Sequence, residues 1–189
     1  MKKILISGST GYLGTNLVKY LSKNKKIKIK TLSRKYNNNF NIKVKQFTYN
    51  DFDKIYNYSL LLNKIDIVIH LAAISNELKE TKQNTKKFHN FNIKFTMNLL
   101  KQIVNFKVKK FIYFSTTKIH GEYNIDNKIY ETTSPQKPMT NYSRSKYQSE
   151  LLISKFCKLH KIEFVIIRMP MVYGEQENKN FSYLNSLIK

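Results

Sequence analysis

This chain of 189 residues has a single cysteine, few acids and no long apolar run. Cys157 is the only cysteine. That excludes an intrachain disulfide and a cysteine-based zinc site, and a lone thiol among apolar helix residues reads as core filler. No apolar run approaches the roughly 20 residues of a membrane span. The opening Met1-Lys2-Lys3-Ile4-Leu5-Ile6-Ser7-Gly8 is too short and too soon broken by glycine for a signal peptide. The expectation is a cytoplasmic protein with no membrane partner. The chain has only 12 acidic residues against 34 basic ones, a net charge of +22. Such an excess ordinarily points to nucleic acid. Here the lysines run along the whole chain among Asn, Ile, Tyr and Phe, and no RNP-like, zinc-finger or repeated basic-aromatic motif accompanies them. Compositional bias is the expected cause and nucleic acid is not an expected partner, although the charge favours anionic ligands, phosphates included.

What the chain does contain is an alternation of two periodicities, without internal repeats. Strands are expected at Lys3–Ser7, Ile27–Leu32, Val44–Tyr49, Asp66–Leu71, Val108–Ser115 and Glu163–Arg168. Helices are expected at Tyr12–Ser22, with Leu13, Leu17 and Leu21 at helical spacing, and at Asp51–Asn63, Lys87–Asn105 and Asn141–His160. Tyr36–Asn41 is an Asn-rich loop, Asn76–Lys86 a polar, mobile loop, and Tyr123–Thr140 a loop with Pro135 and Pro138. Asp66–Leu71 is continuously apolar, as in a parallel strand buried on both faces. Strands alternating with long helices predict an α/β fold, a Rossmann-type doubly wound parallel sheet.

Gly8-Ser9-Thr10-Gly11-Tyr12-Leu13-Gly14 lies between the first strand and the first helix. Gly8 allows a tight turn, Gly11 lets the backbone approach a pyrophosphate, and Gly14 permits close packing of helix on strand. The helix N-terminus offers free N–H groups and a positive dipole end to phosphates. The placement of this pattern makes dinucleotide binding the expected function, with Gly8, Thr10, Gly11, Tyr12, Leu13 and Gly14 as contacts.

The GxxGxxG spacing resembles the extended short-chain dehydrogenase/reductase family, the NAD-dependent epimerase/dehydratase group that acts on sugar nucleotides. Further segments carry the same resemblance in order. His70-Leu71-Ala72-Ala73 is similar to the family's fourth strand end, and Asn92 matches its helix asparagine. Phe111–Gly121 resembles the fifth strand with its Ser/Thr segment, and Tyr142-Ser143-Arg144-Ser145-Lys146 matches the Tyr-x-x-x-Lys pair, with Pro138 before it and Glu150 after it. Arg168-Met169-Pro170-Met171-Val172-Tyr173-Gly174 resembles the run after the sixth strand. The resemblance implies cofactor contacts from Leu71, Ala72, Ala73, Asn92, Tyr142, Lys146 and Pro170.

The end of the second strand reads Thr31-Leu32-Ser33-Arg34, with no acid for ribose hydroxyls. Ser33 and Arg34 suit a 2′-phosphate instead, so NADP is favoured over NAD. Thr48-Tyr49 stands where the family usually places Asp near the adenine.

Tyr142 and Lys146 lie at i and i+4 on a predicted helix, so both side chains can address one ligand. A phenol is a poor base at neutral pH. A nearby ammonium and a nicotinamide cation would favour its phenolate. The resemblance implies that Tyr142 is the general acid/base, that Thr116 orients the reacting oxygen, and that Lys146 tunes Tyr142 and anchors the ribose. His120, in place of the family's tyrosine, is expected at a packing or substrate-contact position. Thr117 and Asn180 complete the implied substrate contacts, Asn180 opening the sugar-nucleotide segment. Thr117 and Lys118 stand where dehydratases carry acids, which argues against dehydration.

The resemblance divides the chain into a dinucleotide-binding domain at 1–172 and, at 173–189, the start of a substrate segment most of whose lobe is missing. It implies hydride transfer on a nucleotide-sugar, by a 4-epimerase or a 4-keto-sugar reductase. A non-catalytic NAD(P)-binding module or a truncated inactive homologue is the alternative. A homodimer, or a partner supplying the missing lobe, is the implied assembly.

Overall fold

The computed structural model describes residues 1–49, 57–75, 81–122 and 129–172. In chain order these form β1 (Lys2–Ser7), α1 (Tyr12–Ser22), β2 (Ile27–Ser33), β3 (Lys45–Thr48), α2 (Tyr58–Leu62), β4 (Ile67–His70), α3 (Lys82–Phe88), α4 (Phe95–Asn105), β5 (Lys110–Thr116), α5 (Asn141–Leu159) and β6 (Glu163–Met169). The strands make one six-stranded sheet in the order β3-β2-β1-β4-β5-β6. Every pairing is parallel. This is the Rossmann-type doubly wound fold expected, and the order reverses between β1 and β4, where such sheets bind ligands.

Alternation along the strands builds a core on each face. Leu5, Leu32, Val68, Phe111 and Tyr113 point to one side, where Phe95, Leu99 and Ile103 of α4 and Ile153 and Cys157 of α5 cover them. Ile4, Ile6, Ile29 and Ile69 point to the other side, against Val18, Leu17 and Leu21 of α1. Cys157 is fully buried, and burial pushes its thiol up to about 11, so it is inert packing.

The Asn76–Lys86 segment, expected to be a loop, is helical in its described part from Lys82. Thr81 starts this helix by accepting the Asn84 N–H at 3.2 Å. Only Phe88 of α3 is buried, so no apolar stripe marked it in the sequence. Between α3 and α4 the residues His89–Lys94 wind as one π-helical segment, so residues 82–105 form a continuous helix with a wide turn at Asn92. Thr117–His120 forms a 3₁₀ turn. The helix expected over Asp51–Asn63 is described only from Asn57 onward, and residues 173–189, with Tyr173, Gly174 and Asn180, lie outside the described residues.

Candidate functional site

The glycine turn joins β1 to α1 at the sheet's reversal point. Gly8 has φ +75°, and its N–H donates to Leu32 O at 2.8 Å, pinning the turn to β2. A Cβ at Gly8 would lie 2.5 Å from Ala72 N and 2.7 Å from Ala72 Cα. Backbone cannot yield there, so β1 and β4 approach this closely only through glycine. A Cβ at Gly14 would lie 2.7 Å from Ser9 Cα, closing helix onto turn. Gly11 differs, because its Cβ would meet only Gly8 O at 3.4 Å. Gly11 also caps α1 without any side-chain hydrogen bond. The first N–H groups of α1, those of Tyr12, Leu13 and Gly14, therefore open onto the turn. Thr10 and Gly11 are exposed. The Ser9 hydroxyl is buried and finds no hydrogen-bond partner among the described residues. A diphosphate fits this cradle in charge, and Gly11 leaves room for it.

Two strand ends flank the cradle. On one side Ser33 is buried and donates to Lys35 O at 2.7 Å. Arg34 is exposed, with its guanidinium 5.8 Å from the Phe91 ring centroid. Tyr49 is buried close by. Burial pushes its phenol above the ordinary range, and the Arg34 charge opposes this. On the other side Leu71 donates to Ser7 O at 3.0 Å. Ala72 is buried and Ala73 half-buried, leaving the strand end with little side-chain bulk.

His70, the last residue of β4, is fully buried. Its Nδ1 lies 2.6 Å from Ser7 Oγ and its Nε2 2.9 Å from Thr96 Oγ1. Thr96 spends its only hydroxyl proton on Asn92 O at 2.7 Å. Nε2 therefore carries the proton toward Thr96, and Nδ1 accepts from Ser7. Burial, with the Lys146 charge adding to it, pulls the His70 pKa down to about 3, so the ring is neutral. The network ties β1, β4 and the Asn92 helix together, and a lone histidine ending an apolar strand was its only sequence signal.

Asn92 locks the next layer. Its Oδ1 accepts the Ile74 N–H at 2.8 Å, and its Nδ2 donates to Ile74 O at 3.1 Å and Ser145 Oγ at 2.9 Å. Ser149 Oγ donates to Asn92 O at 3.0 Å. The asparagine thus couples the segment after β4 to α5, using both ends of its amide on the chain.

Thr140 and Ser143 start α5 with a reciprocal capping box, at 3.2 Å and 3.0 Å. This sets Tyr142 in the first turn, with its phenol near the hydroxyl of Thr116 at the end of β5. The implied acid/base and its orienting hydroxyl therefore lie near each other. Burial raises the Tyr142 pKa, while the Thr116 hydroxyl and then the Lys118 charge oppose the rise. The phenol is protonated at neutral pH.

Lys146 is 2% exposed. Its ammonium sits 4.0 Å from the Tyr113 ring centroid, a cation–π contact. Burial lowers its pKa to about 7, opposed by Glu150. The cation acting on Tyr142 is thus Lys118, on the 3₁₀ turn and paired with Glu122 at 2.8 Å, a residue the sequence marked only as an argument against dehydration. Glu150 is engaged by Arg168, whose Nη2 lies 2.9 Å away and whose Nε donates at 3.2 Å.

Other site residues sit around this centre. His120 is buried, with Nδ1 3.1 Å from Pro135 O and its ring stacked on Tyr130 at 4.8 Å. Thr117 Oγ1 donates to Met169 O at 3.5 Å. Pro170 is exposed just after β6. Among the described residues no group of three His, Cys, Asp or Glu could hold a metal.

Residues 4–189 match the model of the NAD dependent epimerase/dehydratase family. A UDP-glucose 4-epimerase of Vibrio cholerae is 32% identical over 189 residues, covering 99% of this chain and 57% of the relative. A dTDP-D-glucose 4,6-dehydratase of Dictyostelium discoideum is 36% identical over 197 residues, covering 94% of this chain and 45% of the relative. Among solved structures, the UDP-glucuronic acid 4-epimerase of Bacillus cereus in complex with NAD superposes with a TM-score of 0.82 at 26% identity, covering 94% of this chain and 60% of that one. The chain spans roughly half to three-fifths of the length of these proteins.

Proposed function

The chain belongs to the NAD dependent epimerase/dehydratase family, and on that premise we propose that it serves NAD(P)-dependent hydride transfer on a nucleotide-sugar, as a 4-epimerase or 4-keto-sugar reductase. The carrying observation is that the capped start of α5 sets Tyr142 near Thr116, which ends β5, at the glycine cradle's end of the sheet. A bound nicotinamide dinucleotide would supply the group that accepts and returns a hydride. Its diphosphate would rest on Thr10, Gly11, Tyr12 and Leu13, its adenosine end between Ser33 and Arg34, and its remainder along Leu71, Ala72, Ala73 and Pro170.

The chain's own residues divide the remaining work. Thr116 orients a sugar hydroxyl or carbonyl toward the Tyr142 phenol. Tyr142 holds its proton at neutral pH, which suits donation to a keto oxygen. Removal of a hydroxyl proton by Tyr142 requires a cation close enough to favour the phenolate. Lys118 supplies part of that field, and Lys146 joins it by leaving the Tyr113 face to hold the ribose. Thr117 and Asn180 complete the sugar contacts. Thr117 and Lys118 offer no acid for dehydration, so epimerisation or reduction is preferred although a dehydratase is among the relatives.

Arg34 carries the preference for NADP, since no acid ends β2. The Bacillus cereus neighbour, solved with NAD, sets the contrary expectation. A homodimer through the helices of Asn92 and Tyr142 belongs to the same reading, supported by exposed Leu151 and Leu152 on α5. We place this work in the cytoplasm. A second reading, a dinucleotide-binding module without turnover, draws support from Lys146, whose ammonium rests on the Tyr113 ring.

The test is conversion of UDP-sugars to their 4-epimers by the chain loaded with either oxidised dinucleotide, followed by chromatography, and loss of absorbance at 340 nm when either reduced dinucleotide meets 4-keto UDP-sugars, each beside Tyr142→Phe. The hydride-transfer reading predicts a signal that falls by about 10²–10⁴ in rate in the variant, with dinucleotide affinity unchanged. Equal rates in both proteins would overturn the role of Tyr142. Binding without signal in either would favour the module.

A further inference from the structure

All six strands are parallel, so their N-terminal ends share one edge, opposite the glycine cradle. Backbone bonds run along that edge: Lys2 N–H to Lys26 O at 3.0 Å, Asp66 N–H to Lys3 O at 2.9 Å, Lys109 N–H to Asp66 O at 3.0 Å and Glu163 N–H to Lys109 O at 3.2 Å. The segments forming it are 2–3, 23–28, 43–45, 63–66, 107–110 and 158–163. Together they hold fourteen lysines, no arginine and two acids. Both acids are engaged. Asp66 accepts the Lys3 N–H at 2.9 Å, and Glu163 pairs with Lys110. Crowding is felt one step inward, where Lys45 and Lys3 add to burial in lowering the Lys30 pKa.

Composition alone does not account for the placement. Lys64, Lys107 and Lys161 lie in left-handed turns before β4, β5 and β6, at φ 60°, 54° and 54°. Gly or Asn suits such positions, and a longer side chain costs about 1 kcal/mol or more at each. Asparagine is abundant in this chain, yet lysine stands at all three, exposed, on the same edge. Large apolar side chains protrude among these cations: Met1 is 69% exposed, Ile42 98% and Leu159 74%.

We propose that this edge docks on an anionic membrane surface. Flexible ammonium groups match lipid phosphates and carboxylates, and protruding apolar side chains can enter the headgroup boundary. Nucleic-acid grooves instead favour arginine forks and stacking aromatics, and this edge has no arginine. The expectation of no membrane partner rests on the absence of a membrane-spanning segment. Adsorption at a surface needs no span.

The test is co-sedimentation of the whole chain with vesicles of phosphatidylcholine, alone or with about one-third phosphatidylserine, at about 0.1 M salt. The chain should sediment with the anionic vesicles only. The variant Lys64→Asn/Lys107→Asn/Lys161→Asn should keep or raise the melting temperature and lower the partition coefficient about 100-fold, at about 1 kcal/mol per lysine. A control on another face, Lys82→Asn/Lys87→Asn/Lys137→Asn, should stay within about threefold of the parent. Equal binding to neutral vesicles, equal loss in the control triple, or no loss in the edge triple would overturn the proposal. A short DNA duplex that displaces the chain from vesicles at stoichiometric concentration would overturn it in favour of nucleic acid.

Discussion

Replacing Lys146 with methionine should stabilise the fold and abolish the proposed hydride transfer. Lys146 is 2% exposed, and its nearest carboxylate, Glu150, is engaged by Arg168. Its pKa falls from the ordinary 10.5 to about 7. At about 1.4 kcal/mol per tenfold change in proton affinity, holding the ammonium in that site at neutral pH costs about 5 kcal/mol. The Tyr113 ring returns about 2 kcal/mol of this, leaving about 3. The sign follows from linkage. The unfolded chain binds the extra proton between pH 7 and 10.5, so this contribution to stability rises with pH across that window. Below pH 7 the cost is fully present, and above 10.5 it is gone. Methionine has similar length and no charge. Lys146→Met should therefore gain about 1–3 kcal/mol at pH 7, raising the melting temperature by about 2–4 °C per kcal/mol. Paired thermal melts of parent and variant from pH 6 to 10 measure the gap, which should narrow as pH rises. A variant no more stable than the parent at pH 7, or a gap independent of pH, would refute a destabilising buried ammonium resting on Tyr113.

Three further outcomes follow from the same geometry. Gly8→Ala should lose about 2–5 kcal/mol, combining left-handed strain with a Cβ driven into Ala72 backbone, whereas Gly11→Ala should melt within about 1 kcal/mol of the parent; equal melting of the two variants would contradict the distinction between them. Asn92→Ala should cost about 2–3 kcal/mol by orphaning Ile74 and Ser145, and should weaken dinucleotide binding by loosening the segment after β4; an unchanged urea midpoint would count against the tie. His70 has a folded pKa of about 3, below its ordinary 6.5, so its contribution is intact above pH 6.5 and falls away as the unfolded state protonates. Between pH 6.5 and 5 the loss should be about 2 kcal/mol, and His70→Gln should flatten that slope in urea titrations.

Much of the layout was legible because parallel strands buried on both faces read as apolar runs, and Leu13, Leu17 and Leu21 repeat at helical spacing between two of them. The glycine turn was legible for a similar reason, since Gly8 and Gly14 are demanded by backbone contacts that no side chain tolerates. The helix from Lys82 was missed because only Phe88 faces the core, so its signal lay in the Thr81 cap rather than in periodicity. The wide turn around Asn92 had no local sequence cause, being held by Ile74 and Ser145 from distant segments. Spacing on α5 predicted that Tyr142 and Lys146 share a face. It did not predict that Lys146 turns inward to Tyr113 or that Lys118 brings its charge to Tyr142, because both depend on β5 and its 3₁₀ turn packing beside the helix.

The central claim is a working dinucleotide site at the glycine turn, and titration of the purified chain with NADPH and then NADH, following cofactor fluorescence, tests it most directly. Gly11→Asp is the matched control, because an aspartate can cap α1 while setting a negative charge where the diphosphate would rest. Saturable binding is expected, tighter for NADPH through Arg34, and absent from the folded control. Binding of neither dinucleotide by a folded parent chain, or equal binding by Gly11→Asp, would contradict it.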